Sequence, residues 1–293
     1  MTSSKILKSM LFVPGDSEKK MDKALTGPAS ALILDLEDSV APERLPMARG
    51  LVKEFLSTRD RTGPQSWVRI NPLHTPMALE DLAAVVRGRP DGILLPKVEG
   101  GSDVARLDHY LSALEAREGV EPASIRIIPV TTETPAGMFA INTYAGASSR
   151  LVGLTWGAED LSTALGASTN KGDDGEYDLT YQLARSMCLL AAHGAGLQAV
   201  DTITTNFRDA ELLRRDVRAS RRRGFTGKIA IHPDQVPLIN EGYSPEPEEI
   251  SHARAIVEAF RAQPGAGTVQ VEGKMVDKPH LTQAMRVLAA AAH

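Results

Sequence analysis

The chain has 293 residues and a formal net charge of −4, which allows one large domain or two ordinary ones. This charge argues against a general nucleic-acid-binding or anionic-membrane-binding surface. A single cysteine excludes an internal disulfide, and no apolar run approaches the roughly 18 residues needed to span a bilayer.

Short β-rich runs alternate with helical patterns through the first half of the chain. Residues 1–5 do not resemble a signal peptide, so a cytoplasmic protein is expected. Four runs predict strands, at 10–13, 31–36, 67–71 and 92–98. Helical patterns follow them, at 18–25, at about 42–57, over the apolar spacing from 79 to 86, and at about 103–116.

The second half of the chain repeats this alternation. Its predicted strands lie at 125–130, 151–156, 197–200 and 228–231. A short helix runs through Phe139, and longer ones are predicted at about 179–193, 209–222 and 247–260. Cys188 falls in an apolar helical setting, which favours a buried thiol over a nucleophile.

Eight strands alternating with helices indicate a parallel sheet, and at this length a closed (β/α)8 TIM barrel is the natural solution. The alternative is an open doubly wound sheet, although no Gly-x-Gly-x-x-Gly motif follows the first strand. Residues 263–293 do not fit an eighth barrel helix. We therefore predict a barrel domain over 1–262 and a C-terminal extension over 263–293, which packs on its own barrel mouth or on a neighbour's.

Polar residues stand at the ends of seven predicted strands. In (β/α)8 enzymes the active site lies at the carboxyl ends of the strands, so these residues are expected to converge. In strand order they are Asp35, Glu37 and Asp38, then Arg69, Lys97, Glu133, Glu159 and Asp160, Asp201, and His232.

Glu133 and Asp160 are the best candidate metal ligands, since each follows an apolar strand and the two strands are neighbours. Two carboxylates with open positions for water and substrate are typical of Mg²⁺. No histidine cluster or cysteine spacing favours Zn²⁺. The alternative is that both acids cap the helices that follow them.

Basic residues at the same end of the strands have two interpretations each. Arg69 lies within a strand run, which suggests a fixed cation for a substrate carboxylate or oxyanion, or a structural pair with Asp35 or Glu37. Lys19 and Lys23 follow the first strand, where they would meet phosphates or form a solvated helix face. His232 would contact the substrate or cap a loop.

Eight motifs in this order resemble the citrate lyase β-subunit-like family, the CoA-ester lyase branch of the HpcH/HpaI aldolase superfamily. The resemblance runs from about residue 8 to residue 285. The motifs are Leu11-Phe12-Val13-Pro14-Gly15, Leu34-Asp35-Leu36-Glu37-Asp38, Val68-Arg69-Ile70-Asn71, Leu95-Pro96-Lys97, Glu133-Thr134, Gly157-Ala158-Glu159-Asp160-Leu161, Gly224-Phe225-Thr226-Gly227-Lys228 and Ile231-His232-Pro233.

The resemblance implies a homotrimer of barrels that bind Mg²⁺ through Glu133 and Asp160. It implies a catalytic Arg69 that contacts the 2-oxo acid, and it leaves Glu159 as a structural acid. The extension would bring Asp277, as the acid or base, to a neighbouring subunit's site. The residues that it assigns to substrate binding are Phe12, Lys19, Lys23, Arg69, Glu133, Ile231 and His232.

The implied function is a Mg²⁺-dependent carbon–carbon lyase that cleaves a 3-hydroxyacyl-CoA ester, of the malyl-CoA or citramalyl-CoA type. The products would be acetyl-CoA and a 2-oxo acid: glyoxylate, pyruvate or oxaloacetate. Some members of the family also show thioesterase or malate synthase-type activity. The alternatives are a citrate lyase subunit acting on a citryl-ACP or citryl-CoA thioester, a 2-oxo-acid aldolase, and a non-catalytic barrel.

Overall fold

A computed structural model of the chain describes residues 6–291. The absence of a signal peptide was predicted from residues 1–5, which lie outside this range. Each predicted strand is present, with shifted ends, and β6 is the shortest. The strands are β1 (Ser9–Pro14), β2 (Ala31–Asp35), β3 (Gln65–Arg69), β4 (Gly92–Leu95), β5 (Arg126–Pro129), β6 (Gly153–Leu154), β7 (Gln198–Asp201) and β8 (Gly227–Ala230).

The eight strands form one parallel sheet, in the order β5–β4–β3–β2–β1–β8–β7–β6. Its two edges meet through isolated parallel bridges, which pair Ile127 with Leu151 and Val130 with Thr155. Across this seam the Thr155 N–H donates to the Pro129 carbonyl at 3.1 Å. The predicted (β/α)8 barrel is confirmed, and the open doubly wound alternative is wrong.

Helices cover the outside of the barrel. They are α1 (Glu18–Leu25), α2 (Leu45–Thr58), α3 (Met77–Val85), α4 (Gly101–Glu118), α5 (Pro135–Phe139), α6 (Glu159–Leu165), α7 (Leu179–Gly194), α8 (Ala210–Arg223) and α9 (Gln235–Tyr243). The sequence pattern did not predict α9, because Pro237 and Gly242 lower its helix propensity. Gly242 is needed there, since a Cβ would lie 2.4 Å from Val217 of α8.

Two layers of apolar side chains bury the sheet on both faces, as expected for parallel strands. Most of the core lies between the strands and the outer helices, and it includes Cys188, which is buried as predicted. A smaller cluster fills the barrel interior around Trp67. Gly92 makes room for this indole, because a Cβ there would lie 2.3 Å from the ring.

The C-terminal segment has a hydrophobic cluster of its own. It consists of α10 (Pro247–Ala262), an antiparallel hairpin of β9 (Thr268–Val271) and β10 (Lys274–Asp277), and α11 (Lys278–Ala291). The sequence predicted β9 but not its partner, which pairs through a turn with positive φ at Glu272 and Gly273. The division of the chain at residue 262 stays a prediction, and α10 packs with the segment that follows it. Among residues 6–291, no helix has the length and apolar character needed to cross a membrane.

Candidate active site

A cavity of about 390 Å³ opens at the carboxyl ends of the barrel strands. It collects residues that are far apart in the sequence, because each one follows or ends a different strand. Five predicted site residues line it: Phe12, Arg69, Glu133, Asp160 and Ile231. Their roles in binding substrate or metal stay predictions, but their convergence is what the strand-end pattern requires.

A larger cavity of about 480 Å³ lies on the outside of the barrel, between α8, α9, α10 and α11. Its charged lining consists of four arginines and three glutamates on helix surfaces. Since no strand end reaches this cavity, we assign the active site to the smaller one.

Arg69 forms a fixed cation in the wall of the cavity. Its Nε and Nη2 atoms each donate a 2.7 Å hydrogen bond to Asp35, and its guanidinium lies 4.5 Å from the centre of the Phe12 ring. Burial lowers the pKa of Arg69, but the bidentate bond to Asp35 raises it overall. The structural pair with Asp35 is therefore present, and it holds the guanidinium at the cavity.

Lys97 connects the acids around the cavity. Its backbone N–H donates to Glu133 Oε2 at 2.5 Å, and its ammonium nitrogen lies 3.2 Å from Asp160 Oδ1. The ammonium also donates to Glu37. Lys97 adopts a left-handed backbone conformation with φ of 49°, which is costly for a residue other than glycine. This one residue therefore positions both candidate metal ligands.

Glu133 is a buried acid with little compensation. Burial raises its pKa well above the usual value, and the nearby charge of Asp160 raises it further. Gly157 allows this side chain to approach β6, because a Cβ at Gly157 would lie 2.9 Å from Glu133 Cγ. Glu133 does not cap α5, since the hydroxyl of Thr134 accepts the hydrogen bond from the Gly137 N–H at 2.9 Å.

Asp160 and Glu159 have separate environments in the first turn of α6. The Asp160 side chain lines the cavity, and no side chain caps this helix at its N-cap residue, Ala158. Glu159 also lines the cavity, but its Oε1 accepts a 2.9 Å hydrogen bond from Asn170 and so holds the following loop. Capping of α5 by Glu133 and of α6 by Asp160 is therefore not what the structure shows.

The pair of Glu133 and Asp160 fits a divalent cation. Burying one carboxylate beside another is unfavourable unless a cation neutralises them. Within residues 6–291, no group of three His, Cys, Asp or Glu side chains is placed to hold a metal ion. Two carboxylate ligands leave positions for water and substrate oxygens, which suits Mg²⁺ and not the nitrogen and sulfur ligands of Zn²⁺.

Four other predicted residues lie apart from this cavity. Lys19 and Lys23 are exposed on α1. His232 stacks on Phe207 with ring centres 4.7 Å apart, and its Nδ1 accepts a 3.2 Å hydrogen bond from the Asp234 N–H, so it caps its own loop. Its contact with substrate stays a prediction, as do the ligand contacts of both lysines.

Asp277 lies at the end of β10, outside the residues that line the cavity. Its carboxylate oxygen is 2.5 Å from His280 Nδ1, and this hydrogen bond lowers the pKa of Asp277. The site of one chain is therefore formed without Asp277, and its catalytic role stays a prediction.

Trp156 and Thr202 also line the cavity, although neither was a candidate from the sequence. Trp156 ends the apolar run of the sixth predicted strand, and it forms part of the cavity wall. Its position directly before the Gly157 turn was the available signal.

Comparisons with known proteins agree with this geometry. A family model for HpcH/HpaI aldolase/citrate lyase matches residues 8–233. The chain belongs to this family. The predicted family membership is confirmed, and it makes the chain an enzyme of the carbon–carbon lyase class.

Relatives in the HpcH/HpaI family extend the similarity to almost the whole chain. Citrate lyase subunit beta from Escherichia coli (strain K12) is 36% identical over 97% of this chain and 93% of its own length. A (3S)-malyl-CoA thioesterase from Cereibacter sphaeroides (strain KD131 / KCTC 12085) is also 36% identical, over 97% of this chain and 94% of its own length.

A solved structure from the same family shares the fold of the whole chain. The crystal structure of CitE from Mycobacterium tuberculosis, in complex with magnesium, acetoacetate and coenzyme A, matches with a TM-score of 0.80. The two proteins are 32% identical, and the match covers 100% of each chain.

Proposed function

We propose that this enzyme is a Mg²⁺-dependent lyase that cleaves a 3-hydroxyacyl-CoA ester, of the malyl-CoA or citramalyl-CoA type. The products are acetyl-CoA and a 2-oxo acid. One observation carries the proposal: a fixed guanidinium, Arg69, lines the same cavity as two neighbouring carboxylates, Glu133 and Asp160. Binding of a malyl-CoA ester, magnesium and coenzyme A by relatives supports it.

Glu133 and Asp160 would hold the magnesium ion, with Lys97 fixing both side chains. The bound ion supplies a Lewis acid that favours loss of the substrate's hydroxyl proton. Arg69 binds the carboxylate of the 2-oxo acid portion and offsets negative charge as the carbon–carbon bond breaks. Its pair with Asp35 prepares the guanidinium for this role before substrate arrives.

The reaction needs one proton acceptor and one proton donor. A base removes the hydroxyl proton at C3, the C2–C3 bond breaks, and its electron pair forms the enolate of the acetyl thioester. A proton returned to that carbon gives acetyl-CoA. We assign these transfers to Asp277 of a neighbouring subunit. The family resemblance matches Asp277 to this role, and Asp277 lies outside the cation site.

A shared site requires an oligomer, and we propose a homotrimer. Supporting this, large apolar side chains are exposed on two surfaces. One surface lies on α5 and α7 and contains Phe139, Leu179, Leu183 and Leu190. The other lies on the C-terminal segment and contains Met275 and Met285. Large apolar side chains that are exposed in one chain become buried when subunits associate.

The CoA portion of the substrate would lie along β1 and β8. Ile231 and His232 are the proposed contacts at the mouth, and Lys19 and Lys23 the proposed partners of the CoA phosphates. A cytoplasmic location is proposed with this substrate, and cell fractionation tests it.

A second candidate is the β subunit of a citrate lyase complex, because the similarity to citrate lyase subunit beta covers 97% of this chain. It predicts activity on a citryl thioester and copurification with an acyl carrier. An aldolase for free 2-oxo acids is a third candidate, and it predicts that CoA has no effect on binding. Thioester hydrolysis is a fourth, given the malyl-CoA thioesterase relative.

A substrate panel separates these candidates. Malyl-, citramalyl-, methylmalyl- and citryl-CoA are assayed with Mg²⁺ for acetyl-CoA, for free CoA and for 2-oxo acid. The lyase releases an acyl-CoA and a 2-oxo acid in equal amounts, and the acyl-CoA is acetyl-CoA except from methylmalyl-CoA, which gives propionyl-CoA. A thioesterase releases free CoA without 2-oxo acid. Absence of 2-oxo acid with every ester would overturn the proposal.

A subunit-mixing experiment tests the shared site. Subunits with Asp277→Ala and subunits with Arg69→Ala are each inactive alone, but mixed oligomers contain intact sites built from one subunit of each kind. Recovery of activity supports the role of Asp277 across subunits. No recovery in verified mixed oligomers would rule it out.

A further inference from the structure

Trp156 is held on the side facing away from the cavity by a buried acid that the proposed mechanism does not use. Trp156 lines the cavity, and its side chain is almost fully buried. Its Nε1 atom donates a 2.7 Å hydrogen bond to Asp201 Oδ1. Asp201 ends β7, and it does not line the cavity.

Asp201 is fixed by more than one partner. Its second oxygen accepts a hydrogen bond from Arg185 of α7 and lies 3.8 Å from Lys228 Nζ of β8. The Thr202 N–H donates to Oδ1 at 3.0 Å. The acid is fully buried, and a buried carboxylate with this many donors has one position available to it.

A second acid, Asp216, shares this ion-pair network but not its contact with the indole. It lies 2.8 Å from Lys228 Nζ and 3.6 Å from an Arg185 nitrogen. Its other partner is the Thr204 hydroxyl, which donates at 2.7 Å. The two acids therefore balance the same two cations, and only Asp201 reaches the cavity wall.

The indole is also packed from the loop side. The Tyr177 ring meets it edge-on, with ring centres 5.3 Å apart and an angle of 70° between planes. The network also reaches Thr202, which lines the cavity, because Lys228 Nζ donates to the Thr202 carbonyl at 2.6 Å. The network thus fixes two adjacent parts of one wall.

We propose that Asp201 is a positioning residue of the active site, which sets the orientation of the Trp156 indole and so the shape of the wall against which substrate binds. Asp201 contacts no reacting atom and acts through the indole. The proposal rests on the proposed function for its kinetic consequence, because displacement of a wall lowers the fraction of substrate bound in the reactive geometry.

Two variants interrupt the contact from opposite sides. Asp201→Asn replaces two acceptor oxygens by one, so that Arg185 and Trp156 compete for it. Trp156→Phe keeps an aromatic ring and removes the donor. Asp216→Asn is the matched control, because it removes a partly buried charge from the same network and leaves the indole contact in place.

The spectroscopic readout needs no substrate. With ¹⁵N-labelled indole, the two tryptophans of the chain give two N–H resonances, and the one missing in Trp156→Phe identifies Trp156. We expect Asp201→Asn to shift the Trp156 resonance and to leave the Trp67 resonance in place, whereas Asp216→Asn leaves both. Equal shifts of the Trp156 resonance in the two Asn variants would show that Asp201 has no specific effect on the indole and would overturn the proposal.

Kinetics give the second readout. We expect kcat/KM to fall roughly 10- to 100-fold in Asp201→Asn, to fall in Trp156→Phe, and to fall little further in the double variant, since both changes break one contact. If Asp201→Asn does not fold, wild-type kcat/KM in Trp156→Phe would overturn the proposal.

The two proposals fail in different ways. If the wild-type enzyme cleaves no CoA ester, the proposed function fails. The resonance shift and the affinity for oxaloacetate with Mg²⁺ then still test Asp201, and an unshifted resonance with unchanged affinity would overturn its role.

Discussion

The backbone amide of Lys97 donates a 2.5 Å hydrogen bond to the side chain of Glu133, from a residue in the left-handed conformation. A left-handed conformation is costly for a residue other than glycine. The bond therefore explains why a costly conformation is kept at the end of β4, and it leaves the second oxygen of Glu133 free for a cation.

Loss of either candidate metal ligand should abolish Mg²⁺-dependent activity. Glu133→Gln and Asp160→Asn each remove a charged oxygen ligand while keeping side-chain size, so the fold should survive. Mg²⁺ binding is measured by calorimetry, and folding by thermal melting without metal. Glu159→Gln is the matched control, since Glu159 is the adjacent acid and bonds to Asn170. Full Mg²⁺ affinity in the Glu133 or Asp160 variant would contradict the assignment.

The geometry of Arg69 should matter as much as its charge. Arg69→Lys keeps the cation but cannot make two parallel bonds to Asp35, so kcat/KM should fall by roughly 10²- to 10³-fold. Arg49→Lys is a close control, because both arginine side chains are 12% exposed and Arg49 pairs with Asp81 outside the cavity. Steady-state rates and melting temperatures are compared for both. Equal kinetic losses in the two variants would contradict a specific role for Arg69.

The stability of the metal-free protein should fall as pH rises through the titration of Glu37. Burial raises the pKa of Glu37 to about 7 from an ordinary 4.5, although Arg69 and Lys97 oppose the shift. The folded state therefore holds this proton more tightly than the unfolded state does, so the free energy of unfolding decreases between these two pH values.

Urea unfolding in a chelator, across this pH range, measures the effect. Glu37→Gln cannot titrate, so it should show a smaller decrease than the wild type. Glu80→Gln, which changes an exposed acid paired with Arg49, should behave like the wild type. An identical pH dependence in wild type and Glu37→Gln would contradict the raised pKa.

Arg150 should stabilise the seam of the barrel. It lies three residues before β6 and donates to the Ile125 carbonyl next to β5 at 3.2 Å. Its guanidinium is buried and lies 2.6 Å from Glu115. Arg150→Met leaves Glu115 buried without a cation, which costs roughly 3–5 kcal/mol. Arg117→Met, which breaks a partly exposed pair with Glu118, should cost about 0–1 kcal/mol. Similar losses of unfolding free energy in both variants would argue against this role.

The sequence predicted the barrel because strand runs and helical patterns depend on neighbouring residues. It also placed Arg69, Glu133 and Asp160 together, since strand order alone brings strand ends to one side. It could not reveal that Arg69 pairs with all three nearby acids, Asp35, Glu37 and Asp38, because these contacts depend on side-chain geometry. Nor could it reveal α9, in which tertiary packing on β1 and β8 outweighs weak helix propensity.

The sequence also did not predict the backbone conformation of Lys97 or the second strand of the C-terminal hairpin, for a related reason. A left-handed lysine has no sequence signature, and its N–H bonds to the carboxylate of Glu133, which follows another strand. The strand β10 is only four residues long, and its pairing depends on the Glu272-Gly273 turn rather than on an apolar pattern.

The two candidate ligands lie on opposite sides of the seam between β5 and β6, so their distance depends on closure of the barrel. Glu133 follows β5 and Asp160 lies just beyond β6, and these strands meet only through isolated bridges. Eight strands paired in order, without the β5–β6 seam, would still leave the carboxylates apart. The pair would therefore bind a cation only after the barrel has closed. The rate of metal binding during refolding would then report the rate at which the two edges of the sheet join.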